Sequence, residues 1–292
     1  MTTQQVTLAS LKSEQPLTIA DVAVERLGCN DLTLRDKNIL LSRFSYVGFK
    51  GTHFEHCAFN HSYFERCYFR KARFDDVSFV GCTFKDCRFG EAEFDNCKFD
   101  EAEFENCSVT YEQLATTLPL RQNVLWRLAR NLRVNSQNRG QTEDARRFLL
   151  LELKASEAHN FKKAFAWNES FYKNKYSAEA RLLGFWRWFL SKMSNFFWGY
   201  GELPTRVIRF SVIIVLVFAF AFYRLENLKN MPAGASFLEY LGFSLSMFAT
   251  SPYGEVTPAT AAARALTTIE STSGLIMFGF FVTSLYRRVS KR

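Results

Sequence analysis

Residues 42–74 read SRFSY VGFKG THFEH CAFNH SYFER CYFRK ARF, with a phenylalanine in the third place of every five. The phase holds through Phe44, Phe49, Phe54, Phe59, Phe64, Phe69, Phe74, Phe79, Phe84, Phe89, Phe94, Phe99 and Phe104. A period of five fits neither the roughly 3.6 residues of a helical turn nor the roughly two of a strand, so every unit must turn a corner and the chain must wind as a solenoid. Large apolar residues carry the phase outward to Ile39 and Leu34 on one side and to Val109 and Leu114 on the other. Each unit reads small, polar, Phe, polar, polar.

The small place, two before the phenylalanine, holds Ser42, Val47, Thr52, Ser62, Ala72, Val77, Ala92 and Ala102, and also Cys57, Cys67, Cys82, Cys87, Cys97 and Cys107. Cysteine in such a series acts as a small buried hydrophobe in a reducing compartment. The chain has seven cysteines and no CxxC pair, so neither a disulfide framework nor a zinc site is expected.

These units resemble those of pentapeptide-repeat proteins, over about 75 residues. The resemblance implies a right-handed quadrilateral β-helix with about twenty residues to a turn. Phe44, Phe64, Phe84 and Phe104 would then stack in one column, and Cys67, Cys87 and Cys107 in another. With coils ~4.8 Å apart, four turns make a rod ~20 Å long. Its ends need covering. Residues 1–33 are expected to cap one end. The other end carries Glu91, Glu93, Asp95, Asp100, Glu101, Glu103 and Glu105 against Lys98 alone, an acidic patch that either docks on the chain's own helices or stays solvated. Some members of that family imitate DNA and bind topoisomerases. Here residues 34–107 hold 13 acids and 11 Lys plus Arg, a mixture that argues against such mimicry. His53, His56 and His61 fall on outward phases without a surrounding catalytic pattern, so no enzyme and no metal site is expected.

The formal charge is +8, and its basic excess lies beyond Pro119, beside apolar segments. That placement suits an anionic membrane face better than nucleic acid. Residues 115–203 read as a helical connector. Val124, Leu125, Leu128, Leu132 and Val134 mark one helix. After Asn138-Arg139-Gly140-Gln141 a second begins, with Thr142 as cap, Glu143 and Asp144 at its positive end, and Leu149, Leu150 and Leu153 as an apolar face. From Tyr176 to Tyr200, Phe185, Trp186, Trp188, Phe189, Lys192, Phe196, Phe197 and Trp198 mix aromatics with bases, the composition of an interfacial amphipathic helix.

Residues 204–292 change solvent. Val207–Tyr223 with Arg209 as its one charge, and Ala265–Tyr286 with Glu270 as its one charge, are spans of membrane length. The second runs into Arg287, Arg288, Lys291 and Arg292, which places both termini in the cytoplasm. Between the spans, Phe237–Ala249 is too short to cross and has the length of a re-entrant pore helix. It leads into Thr250-Ser251-Pro252-Tyr253-Gly254-Glu255-Val256-Thr257-Pro258.

This order of span, short helix, loop and span resembles the two-transmembrane pore module of potassium channels, over about 85 residues. The resemblance implies a selectivity filter whose backbone carbonyls replace the ion's water, here at Thr250, Ser251, Pro252, Tyr253, Gly254 and Glu255. Thr250, Tyr253, Gly254, the acidic Glu255 and Pro258 agree with the family. Ser251 stands where valine is usual, and Pro252 stands at the first glycine. Proline fixes φ and restricts Ser251 before it, so the alternating backbone of the family's filter is not reproduced. Glu270 is expected to face the pore helix, the rear of the filter or a neighbouring copy. Gly274 serves either as a bend or as a close-packing point.

One copy supplies two spans and one loop, so the resemblance implies a homotetramer. The expected protein is a bacterial inner-membrane cation channel, potassium-like or weakly selective, without cofactor. Its pentapeptide-repeat domain (34–114) serves assembly, gating or a cytoplasmic protein partner. The alternative is a membrane-anchored interaction scaffold whose degenerate pore does not conduct. No nucleotide-binding loop, Ca²⁺ loop or metal cluster marks a gating ligand.

Overall fold

A computed structural model of the chain describes residues 16–166, 172, 175–199, 204–225, 228–232 and 234–290, without the side chains of 197, 198 and 287–290. It divides into two compact units, Met1–Phe185 and Trp186–Arg292.

The first unit is a β-solenoid built from strands β1 (Leu17–Ala20), β2 (Ala23–Glu25), β3 (Thr33–Arg35), β4 (Lys37–Leu40), β5 (Arg43–Ser45), β6 (His53–Glu55), β7 (Tyr63–Glu65), β8 (Arg73–Asp75), β9 (Thr83–Lys85), β10 (Glu93–Asp95) and β11 (Glu103–Glu105). One face pairs β2, β5, β7, β9 and β11, a second pairs β3, β6, β8 and β10, and β1 pairs with β4. Every pairing in the solenoid is parallel and offset by one turn, Phe44 on Phe64 and Phe54 on Phe74. Rows through Gly48, Tyr68, Arg88 and Ser108, and through Ala58, Ser78 and Lys98, complete the four sides.

The phenylalanines fill the axis. Phe44, Phe64, Phe84 and Phe104 stack with centroids 4.7, 5.0 and 5.1 Å apart, as the resemblance implies. Columns neighbouring one another meet edge to face, as Phe59 and Phe64 do at 5.8 Å and 74°, the arrangement that a ring quadrupole favours. The thiols lie between the columns, and six of them donate to a carbonyl of the preceding turn, among them Cys57 to Leu34 at 3.2 Å and Cys97 to Phe74 at 3.3 Å. All seven cysteines are buried, and none forms a disulfide among the described residues. Burial pushes the Cys57 thiol up to about 11 and those of Cys82 and Cys97 to about 12, so they stay protonated and unreactive near neutrality.

The corner demanded by the period is a left-handed residue two places after each central one, from Asp21 to Asn106. Only Gly51 and Gly81 fill it with glycine; Asp, Asn, His and other side chains unbranched at Cβ fill the rest, and no β-branched residue does. That omission follows from sterics, since a branched Cβ is least tolerated at positive φ.

The boundary expected between residues 33 and 34 is displaced. Strands β1 and β2 are already solenoid, and Val22, Val24 and Cys29 belong to its core. Ile19, Val24 and Cys29 continue the central phase, which smaller side chains disguise. The small-residue rule relaxes in this first turn, where Leu27, Leu32 and Lys37 occupy that place. Residues 1–15 of the expected cap lie outside the described residues.

The other end is closed by the helices that follow, α1 (Tyr111–Leu114), α2 (Gln122–Asn138) and α3 (Thr142–Phe165). Leu128 and Leu132 of α2 and Phe148 of α3 join the solenoid core, so this hairpin is part of the first unit and not an independent connector. Amide side chains satisfy the last coil's backbone. Asn131 Oδ1 accepts from Phe104 N–H at 2.7 Å, and Asn135 accepts from Cys107 N–H at 2.7 Å and donates to its carbonyl at 2.9 Å. Gln113 donates to the carbonyls of Phe89 and Ala92 at 2.7 and 2.9 Å. Asn135→Ala would strand a buried N–H and C=O, each costing ~1–3 kcal/mol. We expect it to lower unfolding free energy by about 2–4 kcal/mol, measured by urea titration beside exposed Asn138→Ala.

Details of the hairpin differ from the pattern. Val134 is exposed and Asn135 takes the inward place. The buried stripe of α3 is Ala145, Phe148 and Ala155, with Leu149, Leu150 and Leu153 only half-buried. Gln141, not Thr142, precedes α3, without a side-chain cap. Asp144 instead accepts from Tyr111 N–H at 3.1 Å.

The previous coil pairs three of the seven acids at this end: Arg70 with Glu91 at 2.7 Å, Arg73 with Glu93 at 3.2 Å, Lys85 with Glu105 at 3.6 Å. Arg121 reaches Asp100 at 3.4 Å from the helical side. Carboxylates do lie beside two of the outward histidines, contrary to expectation. His53 meets Asp75 at 2.5 Å and His56 meets Asp76 at 3.0 Å. The hydrogen bond that its imidazole donates to Asp76 holds the exposed His56 above its ordinary pKa. Neighbours across one turn of a solenoid are about twenty residues apart, which is why local sequence hides them.

Candidate functional site: the filter loop and its support

Helix α4 (Ala178–Trp198) exposes Leu182, Leu183, Trp186, Phe189, Leu190 and Phe196 along its length. Helix α5 (Pro204–Leu225) begins on a proline, whose fixed φ and missing N–H suit a helix start. Helix α6 (Phe237–Phe248) and helix α7 (Ala261–Ser290) complete the second unit. Pro204–Leu225 and Ala261–Tyr286 have mean hydropathies of 2.1 and 1.4, with only 22% of each apolar window buried. Both are long and apolar enough to cross a bilayer. At twelve residues, or ~18 Å, α6 is too short. The basic end at Lys291 and Arg292 lies outside the described residues.

Helix α6 is fixed at both ends. At its start, Glu239 accepts from Ser236 N–H at 2.7 Å. At its end, Thr250 N–H donates to Met247 at 3.0 Å and Ser251 N–H to Ser246 at 2.8 Å, the paired bonds of a Schellman cap. That cap needs a left-handed residue, and Thr250 supplies it at φ 56°. Glycine is usual there, and a β-branched residue is a conformational outlier. Within 250–256, Gly254 alone shares a positive φ, also 56°.

The chain then folds back. Tyr253 lies against α6 over Gly242, where any Cβ would stand 2.9 Å from the phenol oxygen, and its ring meets Phe243 at 6.2 Å and 84°. Short strands β12 (Leu228–Lys229) and β13 (Thr257–Pro258) pair antiparallel, and Asn230 donates to the Glu255 carbonyl at 3.0 Å. Thr250, Ser251, Pro252, Gly254 and Glu255 are exposed, while Tyr253 is half-buried.

The rear of this loop is built by α7. Ala263, Thr267, Glu270, Gly274, Met277 and Ser284 form its buried stripe. Ser271 Oγ donates to the Met247 carbonyl at 2.9 Å. A Cβ on Gly274 would stand 1.9 Å from the carbonyl oxygen of Phe248, so Gly274 is the point where α7 crosses the end of α6. Helix α7 runs unbroken through this close contact. Glu270 is fully buried and meets Ser244 of α6. Ser244 and Gly242 were not legible as site residues, because each acts by contact with a distant element. An apolar cavity of about 670 Å³ opens beside Thr250, between Val212 of α5 and Leu275 and Phe278 of α7.

Residues 210–291 match the family described as ion channel, and residues 60–118 match the pentapeptide repeat region. No curated protein matches the chain. Among solved structures, a trypsin-treated variant of QnrB1, a plasmid-mediated fluoroquinolone resistance protein, is 19% identical, covering 33% of this chain and 56% of its own at a TM-score of 0.22. HetL, a pentapeptide repeat protein involved in heterocyst differentiation regulation in the cyanobacterium Nostoc sp., is 11% identical over 35% of this chain and 45% of its own, at 0.19. A pentapeptide repeat protein of the Arabidopsis thaliana thylakoid lumen is 13% identical over 37% and 76%, at 0.16. The chain thus spans about half the length of the first two relatives. Periodicity, coil register, the two apolar helices and the two family matches agree: the chain joins a β-solenoid that matches the pentapeptide repeat region to a helical segment that matches the ion channel family and holds two helices of membrane-spanning length.

Proposed function

We propose that the protein is a non-enzymatic cation channel of a bacterial inner membrane, in which four copies surround a path lined by Thr250 to Gly254, with Glu255 at its mouth. The observation that carries this reading is the asymmetry of the filter loop. Its rear is packed by α6 and α7 through Tyr253, Ser271 and Gly274, while Thr250, Ser251, Pro252 and Gly254 are left exposed. A loop with a built back and a bare front fits a wall that several copies share. The apolar flanks of α5 and α7, including Ile213, Val217, Ile276 and Val282, suit lipid or a neighbouring copy. Helix α4, with aromatics and bases interleaved, suits the cytoplasmic headgroup layer. Both termini and the solenoid then lie in the cytoplasm, where the solenoid assembles or gates the pore or holds a protein partner; nucleic acid is not a partner in this reading.

Pro252 favours the second reading, a membrane-anchored scaffold without conduction, because a fixed φ at that place misdirects a carbonyl ring. The two readings part in a flux assay on Pro252→Gly. For a channel, the variant's K⁺ over Na⁺ flux ratio should rise about tenfold above wild type as the carbonyl ring is restored, about 1.4 kcal/mol of discrimination. An unchanged absence of flux in both, with capture of a soluble partner by the solenoid, would favour the scaffold.

A further inference from the structure

One hydroxyl joins α5, α6 and α7. Ser244 Oγ on α6 lies 2.8 Å from the Val215 carbonyl oxygen on α5 and within hydrogen-bond distance of Glu270 Oε1 on α7. A serine hydroxyl has one proton to give, and a backbone carbonyl can only accept. If Ser244 gives its proton to Val215, the contact with Glu270 must be bridged by a proton of the carboxyl. An ionised Glu270 would instead compete with Val215 for that single proton, leaving one of the two contacts as facing lone pairs.

The second carboxyl oxygen sharpens the argument. Glu270 Oε2 is buried and meets no donor among the described residues. The titratable groups on the surrounding elements are Arg206, Arg209, Tyr223 and Arg224 on α5, Glu239 and Tyr240 on α6, Tyr253 and Glu255 in the loop, and Arg264, Tyr286, Arg287 and Arg288 on α7. None of them forms an ion pair with Glu270 among the described residues; burial and the Ser244 hydroxyl are what act on its carboxyl. A buried carboxylate with one shared proton and no counter-charge is costly, whereas the neutral acid satisfies both Ser244 and Val215 and leaves Oε2 as an uncharged carbonyl oxygen, which costs far less to bury unpaired than a charge.

We propose that Glu270 is a neutral carboxylic acid that donates its proton to Ser244, and that this chain of two hydrogen bonds positions α6, and so the loop from Thr250, against α5 and α7. Glu270 is a positioning residue, acting through Ser244. Its structural role stands apart from conduction, while its effect on flux rests on the channel reading above. Removal of the proton at alkaline pH breaks the chain and loosens the helix that ends at the filter.

The test uses the full-length oligomer in lipid, as wild type, Glu270→Gln, Glu270→Ala and Ser244→Ala. Glutamine presents an N–H to Ser244 in the same place and does not titrate. Infrared difference spectra at neutral pH should show a protonated-carboxyl C=O band in wild type that vanishes in Glu270→Gln. Glu270→Gln should keep wild-type flux within about twofold and be flat with pH, whereas wild type should lose about fivefold or more by about pH 9, the upper range for buried carboxyls. The wild-type unfolding midpoint should fall over the same range and that of Glu270→Gln should not. Both alanine variants should lose flux and stability at every pH. A carboxyl band unchanged by Glu270→Gln, or a glutamine variant as impaired as alanine, would overturn the proposal. Wild type without flux but with the band and the alkaline loss of stability would uphold the proton's structural role and count against the channel reading alone.

Discussion

Replacing Gly274 by valine is expected to abolish flux and to destabilise the membrane unit by about 3 kcal/mol, the upper end for overpacking a closed contact. At that place even a methyl carbon would stand 1.9 Å from the Phe248 carbonyl oxygen and 2.9 Å from its carbon. These are backbone atoms of the last turn of α6, so no rotamer change relieves the clash. Either α7 retreats or the end of α6 does, and with it the capped Thr250. The matched control lies five residues on, because a Cβ at Gly279 meets nothing within 4 Å. Gly279→Val should therefore leave thermal stability in detergent and flux in liposomes within about twofold of wild type, as expected of a surface change. Equal damage from both substitutions would show that Gly274 matters as a bend, not as a packing point.

The second large effect belongs to the solenoid. Phe74→Ala should cost about 3–5 kcal/mol, the usual range for deleting a buried aromatic ring. Phe74 has no exposed surface and stacks between Phe54 at 4.7 Å and Phe94 at 4.9 Å, with Phe79 edge-on at 5.5 Å. Its neighbours are held by backbone pairing on both sides and cannot collapse into the space. Solenoid turns contact only adjacent turns, so hydrogen-exchange protection should fall first in β6, β8 and β10. Phe94→Ala, at a position 7% exposed and nearer the closed end, should cost less. A uniform loss of protection over the whole unit would contradict nearest-neighbour stabilisation.

The solenoid was legible because one physical demand, a large side chain on the axis every fifth residue, is met by the same amino acid thirteen times. The burial of the cysteines follows from it, and the stacking of Phe44 on Phe64 follows once the twenty-residue turn implied by the resemblance is added. Its beginning was not legible, because Ile19, Val24 and Cys29 meet the same demand with different side chains. The left-handed corners were written as an absence, the missing β-branched residues at one phase. The closing amides Asn131 and Asn135 look like surface residues of an amphipathic helix until the unpaired backbone of the last coil is placed beside them.

In the membrane unit the order of helices could be read from hydropathy and length, and Glu270 and Gly274 stood out as a charge and a glycine inside a span. What they touch was not legible. Ser244, 26 residues from Glu270, and Gly242 beneath Tyr253 are ordinary small residues whose meaning comes from the crossing of α6 with α7 and with the loop. The Schellman cap on Thr250 was hidden for a related reason, since its usual marker is glycine and here the marker is threonine.

The central claim is that residues 250–254 line a conducting path. The most direct measurement is K⁺ and Na⁺ flux through the purified oligomer in liposomes, comparing wild type, a deletion of residues 250–254, and Ser251→Cys treated with a membrane-impermeant cationic thiol reagent. The seven native cysteines are buried, so the introduced thiol is the reactive one. The account predicts flux in wild type, none in the deletion, and at least about tenfold block of Ser251→Cys on modification, with wild type untouched by the reagent. A verified oligomer that passes no ions, or one whose flux survives both the deletion and the modification, would contradict it.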